Sequence, residues 1–233
     1  VSEPFARRAW RTVEAFEAAL CEYTGAPYAV TVNSCTSALF LSLLYYRQPG
    51  HFQQDDLSYA WKVWLPKRTY VGVGQAALNA GYQLEWVVWD WERAYALNPL
   101  PVFDSAKNFH FGMYGETIVQ KFPGEQPVKL YSLRGLVCVS FQAWKTLPIG
   151  QGGAILTHDA DAAQWLRRAR FDGRDPEQED TGQRGWHMYL SPPEAARGLW
   201  LLHGLPGDPP PLRNDHVDIS GYKVFKEAQG GTK

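Results

Sequence analysis

Along the first fifty residues the apolar positions change period twice. Trp10, Val13, Phe16 and Leu20 recur at three- and four-residue steps, which predicts an amphipathic helix from near residue 7 to residue 23. Thr24-Gly25-Ala26-Pro27 breaks that pattern, and Tyr28 to Val32 reads as a short strand. The polar run Asn33-Ser34-Cys35-Thr36-Ser37 then leads into apolar residues 38–46, a helix with hydroxyl residues at its cap. The alternation continues. After a polar loop at 48–60, residues 61–66 and 84–90 read as strands on either side of a helix within 69–81 that Gly81 ends. Residues 100–104 form a short strand closing on Asp104, 105–116 a run of turns, and 136–141 and 152–157 two further strands. A helix within 161–173 closes at Gly173, residues 174–186 form a charged loop, and 192–205 is a last helix with its prolines in the first turn. A stiff proline-rich stretch at 206–214 and a polar tail, expected to be poorly ordered, follow. This divides the chain into one folded unit over 1–205 and a linker with a short tail over 206–233.

Strands alternating with helices predict a layered α/β fold on a mostly parallel sheet. In such folds ligands sit beyond the carboxyl ends of the strands. Four polar groups fall at such ends: Asn33 to Ser37, the turn before Tyr70, Asp104, and Ser140 with Lys145.

Composition narrows the class. Hydrophobic residues make up 45% of the 233, enough for a sizeable core. The formal net charge of -1 gives no general pull on nucleic acid or an anionic membrane, although a local patch is compatible with it. The three cysteines are far apart and form no CxxC pair, which speaks against a disulfide framework or zinc site and fits a reducing cytosol. The first residues lack the apolar core of a signal peptide, and no apolar run reaches the ~20 residues that cross a bilayer.

Three of these groups have a plain structural use beside a chemical one. Hydroxyl residues where a strand enters a helix are ordinary caps, and they also leave backbone N–H groups free for a phosphate. Asp104 at the end of an apolar strand is either a cap or salt-bridge member, or a carboxylate held for a cationic ligand atom. Lys145 is either a surface-loop lysine or, in a partly dry site, an amine nucleophile toward carbonyls. Gly150, Gly152 and Gly153 do not form GxGxxG and precede a strand, so their use is to let the chain turn tightly beside Lys145. Taken together, a phosphate cradle, a ring-nitrogen carboxylate, a stacking aromatic and a Schiff-base lysine are the parts that hold pyridoxal phosphate.

The order of these motifs resembles the DegT-type nucleotide-sugar aminotransferases. The segments that carry the likeness are NSCTSAL, LPKRTYVGVGQAALNAG, VFDSA and SFQAWKTLPIGQGGAILT. The resemblance implies the three-layer large domain of fold-type I pyridoxal phosphate enzymes. It implies phosphate contacts from Cys35, Thr36 and Ser140, ring stacking by Tyr70, a ring-nitrogen partner in Asp104 and a Schiff base on Lys145. It also implies a homodimer with shared active sites that moves an amino group, usually from glutamate, to a nucleotide-linked keto-sugar.

The pattern is broken in places. Lys107 stands where the family has Gln or His touching the ring hydroxyl. His187 stands where an asparagine reaches the neighbour's phosphate site, and Tyr189 where an arginine follows. The loop near 51–60 looks inserted, and after the last helix the family continues into a smaller C-terminal domain where this sequence has only the linker and tail. The expected function is therefore aminotransfer to a sugar or similar carbonyl. The alternatives are another pyridoxal phosphate reaction on a bulky substrate such as a modified nucleotide or nucleic acid, or a non-catalytic relative.

Overall fold

The computed structural model describes residues 5–51, 61–121, 129–174, 182–210 and 212–230. Most of the polar loop at 48–60 and about half of the charged loop at 174–186 lie outside these residues. Helix α1 (Phe5–Thr24) leads to β1 (Tyr28–Val32) and α2 (Cys35–Tyr46), then β2 (Lys62–Pro66), α3 (Val71–Asn79) and β3 (Gln83–Val87). Short strands β4 (Asp90–Trp91), β5 (Tyr95–Ala96) and β6 (Val102–Asp104) precede the hairpin β7 (Thr117–Lys121) and β8 (Lys129–Ser132). Strands β9 (Leu136–Ser140) and β10 (Gly153–Thr157), and helices α4 (Ala160–Ala169), α5 (Pro192–His203) and α6 (Lys223–Gly230), complete the described elements.

The central sheet runs β1-β10-β9-β6-β5. Its class is α/β as expected, but the sheet is mixed where the alternation predicts a mostly parallel one. Only β6 and β9 run parallel in it, with Asp104 opposite Cys138; β10 is antiparallel to both neighbours, and β5 to β6. The cause is the connection 141–152, which carries no crossover helix and so returns β10 against β9. The parallel pair β2 and β3 abuts this sheet where the Trp64 N–H donates to the Asn98 carbonyl at 2.8 Å.

The side-chain period of two builds a core on each face. Val30, Val32, Leu136, Cys138 and Ile155 point to the side covered by α2, α3 and α4. Ala29, Val137, Val139, Ala154 and Leu156 point to the side covered by α1 and α5. Val13, Phe16 and Leu20 of α1 are all buried there, as their spacing predicts. A buried Glu17 carboxylate ties α1 to the sheet. It accepts from the Thr31 N–H at 2.8 Å and pairs with Arg170 beyond α4. The tail is not irregular throughout: α6 sets Phe225 into the first core, its ring 5.0 Å from that of Trp86.

Candidate active site

The carboxyl ends of β1, β6 and β9 and the start of β10 meet at one edge of the sheet. Just beyond β1, Ser34 caps α2 by accepting from the Ser37 N–H at 3.1 Å, and Ser37 donates to Asn33 at 2.6 Å. The cap uses these hydroxyls internally, so the groups left for a ligand are the Cys35 and Thr36 N–H groups at the helix start and the Thr36 hydroxyl. Gly153 makes this close approach of helix and sheet possible. A Cβ there would meet backbone atoms, the Cys35 nitrogen at 2.6 Å and the Val139 carbonyl oxygen at 2.8 Å.

Asp104 ends β6 inside the protein. Its carboxylate accepts from the Tyr95 hydroxyl at 2.9 Å and the Ala106 N–H at 3.0 Å, and Tyr95 is itself 2.5 Å from the Thr69 hydroxyl. Burial pushes the Asp104 carboxyl up. The Ala106 N–H, the Tyr95 hydroxyl and the Lys145 charge pull it back only in part. A carboxylate so placed is short of a cation. Burial likewise raises the Cys35 thiol well above its ordinary value, so it stays neutral at this site.

Lys145 sits in the turn after β9. Its N–H donates to the Gln142 carbonyl at 2.8 Å, the Ala143 N–H to Gly150 at 3.1 Å and the Ile149 N–H to Phe141 at 3.1 Å. Leu147 and Ile149 are buried below the turn. The loop is thereby fixed, and the Lys145 ammonium takes no hydrogen-bond or ion-pair partner among the described residues.

Cys35, Thr36, Tyr70, Asp104, Lys107, Ser140 and Lys145, all singled out from the sequence, line one cavity of about 330 Å³. Tyr70 is 55% exposed at its mouth, packed over Gly72, where a Cβ would lie 2.7 Å from the ring and 2.9 Å from the Thr36 hydroxyl. Lys107 is buried, and its ammonium is occupied: it donates to the Arg213 carbonyl at 2.5 Å and pairs with Asp215. His187 lies outside the cavity, 69% exposed, 3.1 Å from Asp172. Its neighbour Tyr189 packs edge-on to Trp10 at 4.9 Å and bridges to Val32 at the end of β1.

Sequence reasoning missed Trp91, Gln142, Gln151 and His216 on the cavity wall, and Tyr95 behind Asp104. His216 comes from the tail. The one signal for it is the apolar set Val217, Ile219, Tyr222, Val224 and Phe225 among the charged residues of the tail, of which Ile219 and Phe225 are the buried members. Among the described residues no cluster of His, Cys, Asp and Glu could hold a metal ion, and no helix is long and apolar enough to cross a membrane.

A profile of the DegT/DnrJ/EryC1/StrS aminotransferase family matches residues 5–99 and 129–206, well over half of the chain. No curated protein matches it. Among solved structures, AtS13 from Actinomadura melliaura is similar with a TM-score of 0.63 at 21% identity, over 82% of this chain and 59% of that one. The sugar aminotransferase CalS13 from Micromonospora echinospora gives 0.61 at 20%, over 87% and 66%. Helicobacter pylori PseC, an aminotransferase involved in the biosynthesis of pseudoaminic acid, gives 0.57 at 18%, over 87% and 63%. The chain thus spans about six tenths of the length of these structures, and the likeness shows their fold.

Proposed function

The chain belongs to the DegT/DnrJ/EryC1/StrS aminotransferase family, and on that premise we propose that it is a pyridoxal phosphate-dependent aminotransferase whose acceptor is a keto-sugar or similar carbonyl compound. The observation that carries this reading is the convergence of Asp104, Lys145, Ser140 and the start of α2 on one cavity. The residues present fit the cofactor. A buried carboxylate short of a cation suits a protonated ring nitrogen, two free N–H groups and hydroxyls suit a phosphate, and an unpartnered amine suits an aldehyde. When bound, pyridoxal phosphate supplies the electron sink that lets an amino group pass between two carbonyl carbons.

The protein's own part follows from the placement of these groups. Asp104 holds a proton at the ring nitrogen, and the Tyr95–Thr69 hydroxyl chain keeps its carboxylate oriented. The Lys145 amine is the nucleophile, held in place by the 141–150 turn. Thr36 and Ser140 orient the phosphate, with the Cys35 N–H at the positive end of α2. Tyr70 covers one side at the mouth. His187, exposed beside the α2 turn, belongs to the phosphate site of a second copy, so the working unit is a homodimer.

Borohydride reduction of the protein loaded with pyridoxal phosphate, followed by peptide mass spectrometry, tests the reading. The label is expected on the peptide holding Lys145. A label elsewhere, or retention of the bound-cofactor absorbance by Lys145→Ala, refutes it. Sedimentation tests the homodimer separately, since a monomer at full cofactor occupancy rules out the role given to His187.

A further inference from the structure

The segment 212–225 crosses the mouth of the cavity pinned on both sides of His216. Before it, the Leu212 N–H donates to the Lys107 carbonyl at 3.1 Å, and the Lys107 ammonium holds the Arg213 carbonyl and Asp215. Beyond it, Asp218 bridges to Arg68, the Ile219 N–H donates to the Lys67 carbonyl at 3.0 Å, and Ile219 and Phe225 are buried. Lys107 is a buried cation, and Asp215, 79% exposed, is its counter-charge. Removing Asp215 leaves that cation desolvated and unpaired, so the pairing holds the tail closed more firmly than an exposed pair would. Between the two pins the half-buried His216 ring lines the cavity, 6.2 Å from the Tyr70 ring and tilted by 44°. Its ring nitrogens take no partner among the described residues, which leaves one donor and one acceptor for a ligand.

We propose that His216 is a contact residue for the pyridoxal phosphate taken up by this cavity, and that the Lys107–Asp215 pair is the clasp that positions it. The inference rests on the cofactor reading above. Charge arrangement supports it. His216 faces Lys107 and Lys145, two cations, and Asp104 and Asp215, two carboxylates, with Tyr70 beside it. Burial and then the Lys107 charge hold its imidazole below the ordinary value of 6.5. A neutral imidazole at neutral pH can hydrogen-bond a ligand without adding a third cation to the cavity. Because its folded value is depressed, tail docking is at full strength above about pH 6.5 and weakens as pH falls through the lowered value. Asp215, held low chiefly by the Lys107 hydrogen bond, stays ionised throughout that window.

Pyridoxal phosphate alone is the probe, titrated by absorbance into wild type, His216→Ala, His216→Gln and Asp215→Asn, with amide exchange of 212–219 followed in each. Loading is expected to slow exchange of 212–219 in wild type. His216→Ala weakens affinity about tenfold, the loss of about one well-placed hydrogen bond in a desolvated site, and His216→Gln restores most of it. Asp215→Asn speeds exchange of 212–219 and weakens affinity about threefold through lost positioning. Exchange corrected for its intrinsic pH dependence rises below about pH 6.5 in wild type and not in His216→Gln. A wild-type chain that takes up no cofactor overturns the proposed function and this inference together. Normal uptake by wild type with unchanged affinity in His216→Ala, or unchanged exchange on loading, overturns this inference alone.

Discussion

Asp104 and His216 face the same cavity from walls of opposite build. Asp104 closes a short strand between β9 and β5, hydrogen-bonded from behind by Tyr95, with both cores packed around that strand. His216 arrives on a tail held by a few backbone bonds, one half-exposed ion pair and the anchors Ile219 and Phe225. The first wall opens only when the sheet opens, because Asp104 and Ser140 are ladder residues and Lys145 sits in a turn bonded onto the end of β9. The second can open by itself, at the cost of a few local contacts. Groups that must meet a cofactor in fixed geometry are on the rigid wall, and the group that closes over it is on the yielding one.

The largest expected effect attacks the rigid wall. Lys145→Ala should lower single-turnover conversion of bound cofactor by L-glutamate on the order of 10³-fold or more, because no other amine of the described cavity is free to move the substrate proton once Lys107 is clasped. Thermal stability should be unchanged, since Leu147 and Ile149, not Lys145, hold the turn. A loss within tenfold would take that role away from Lys145.

Asp104→Asn comes next, with turnover down on the order of 10²-fold as the amide cannot hold the ring proton. The same variant should be more stable than wild type without cofactor. Burial raises the folded value of Asp104 above 3.8, so the favourable state is the protonated one, fully present below that value. Its stabilisation is lost as pH rises through the folded value. The difference in melting temperature, variant minus wild type, should therefore grow between pH 4 and pH 7 in the apoprotein. Equal differences at both would mean that Asp104 is not short of a cation.

The yielding wall is broken at its anchor. Phe225→Ala removes a fully buried ring packed on Trp86 and over Gly74, a loss of about 3 kcal/mol. Amide exchange should speed up across 212–230 and leave β6 and β9 protected; loss of protection in both would make the tail part of one cooperative unit with the sheet. The smallest effect is expected at the mouth. In Gly72→Ala the new methyl meets the edge of the half-exposed Tyr70 ring, which can swing away, and the Thr36 hydroxyl, which must turn aside, so stability should fall by less than ~1 kcal/mol while cofactor affinity drops a few-fold.

The local order of the chain determined much of this molecule. Period-three-and-four and period-two patterns are properties of neighbouring residues, and they located α1, α2, α3, α4 and α5 with β1, β2, β9 and β10 within a residue or two at most ends. The polar groups at strand ends, read as a set, all reached one cavity. What the sequence could not show are pairings between distant segments. Strands β4 and β5 are two residues long and carry no period, so Tyr95, whose hydroxyl orients Asp104, went unseen. The direction of β10 depended on the path of a loop, which periodicity does not encode. Helix α6 buries Phe225 against Trp86, and the tail ahead of it gives Lys107 its counter-charge from a residue more than a hundred positions away. Only the folded backbone brings such groups together, because what fixes them is the desolvation of a distant partner and not any preference of their own neighbours.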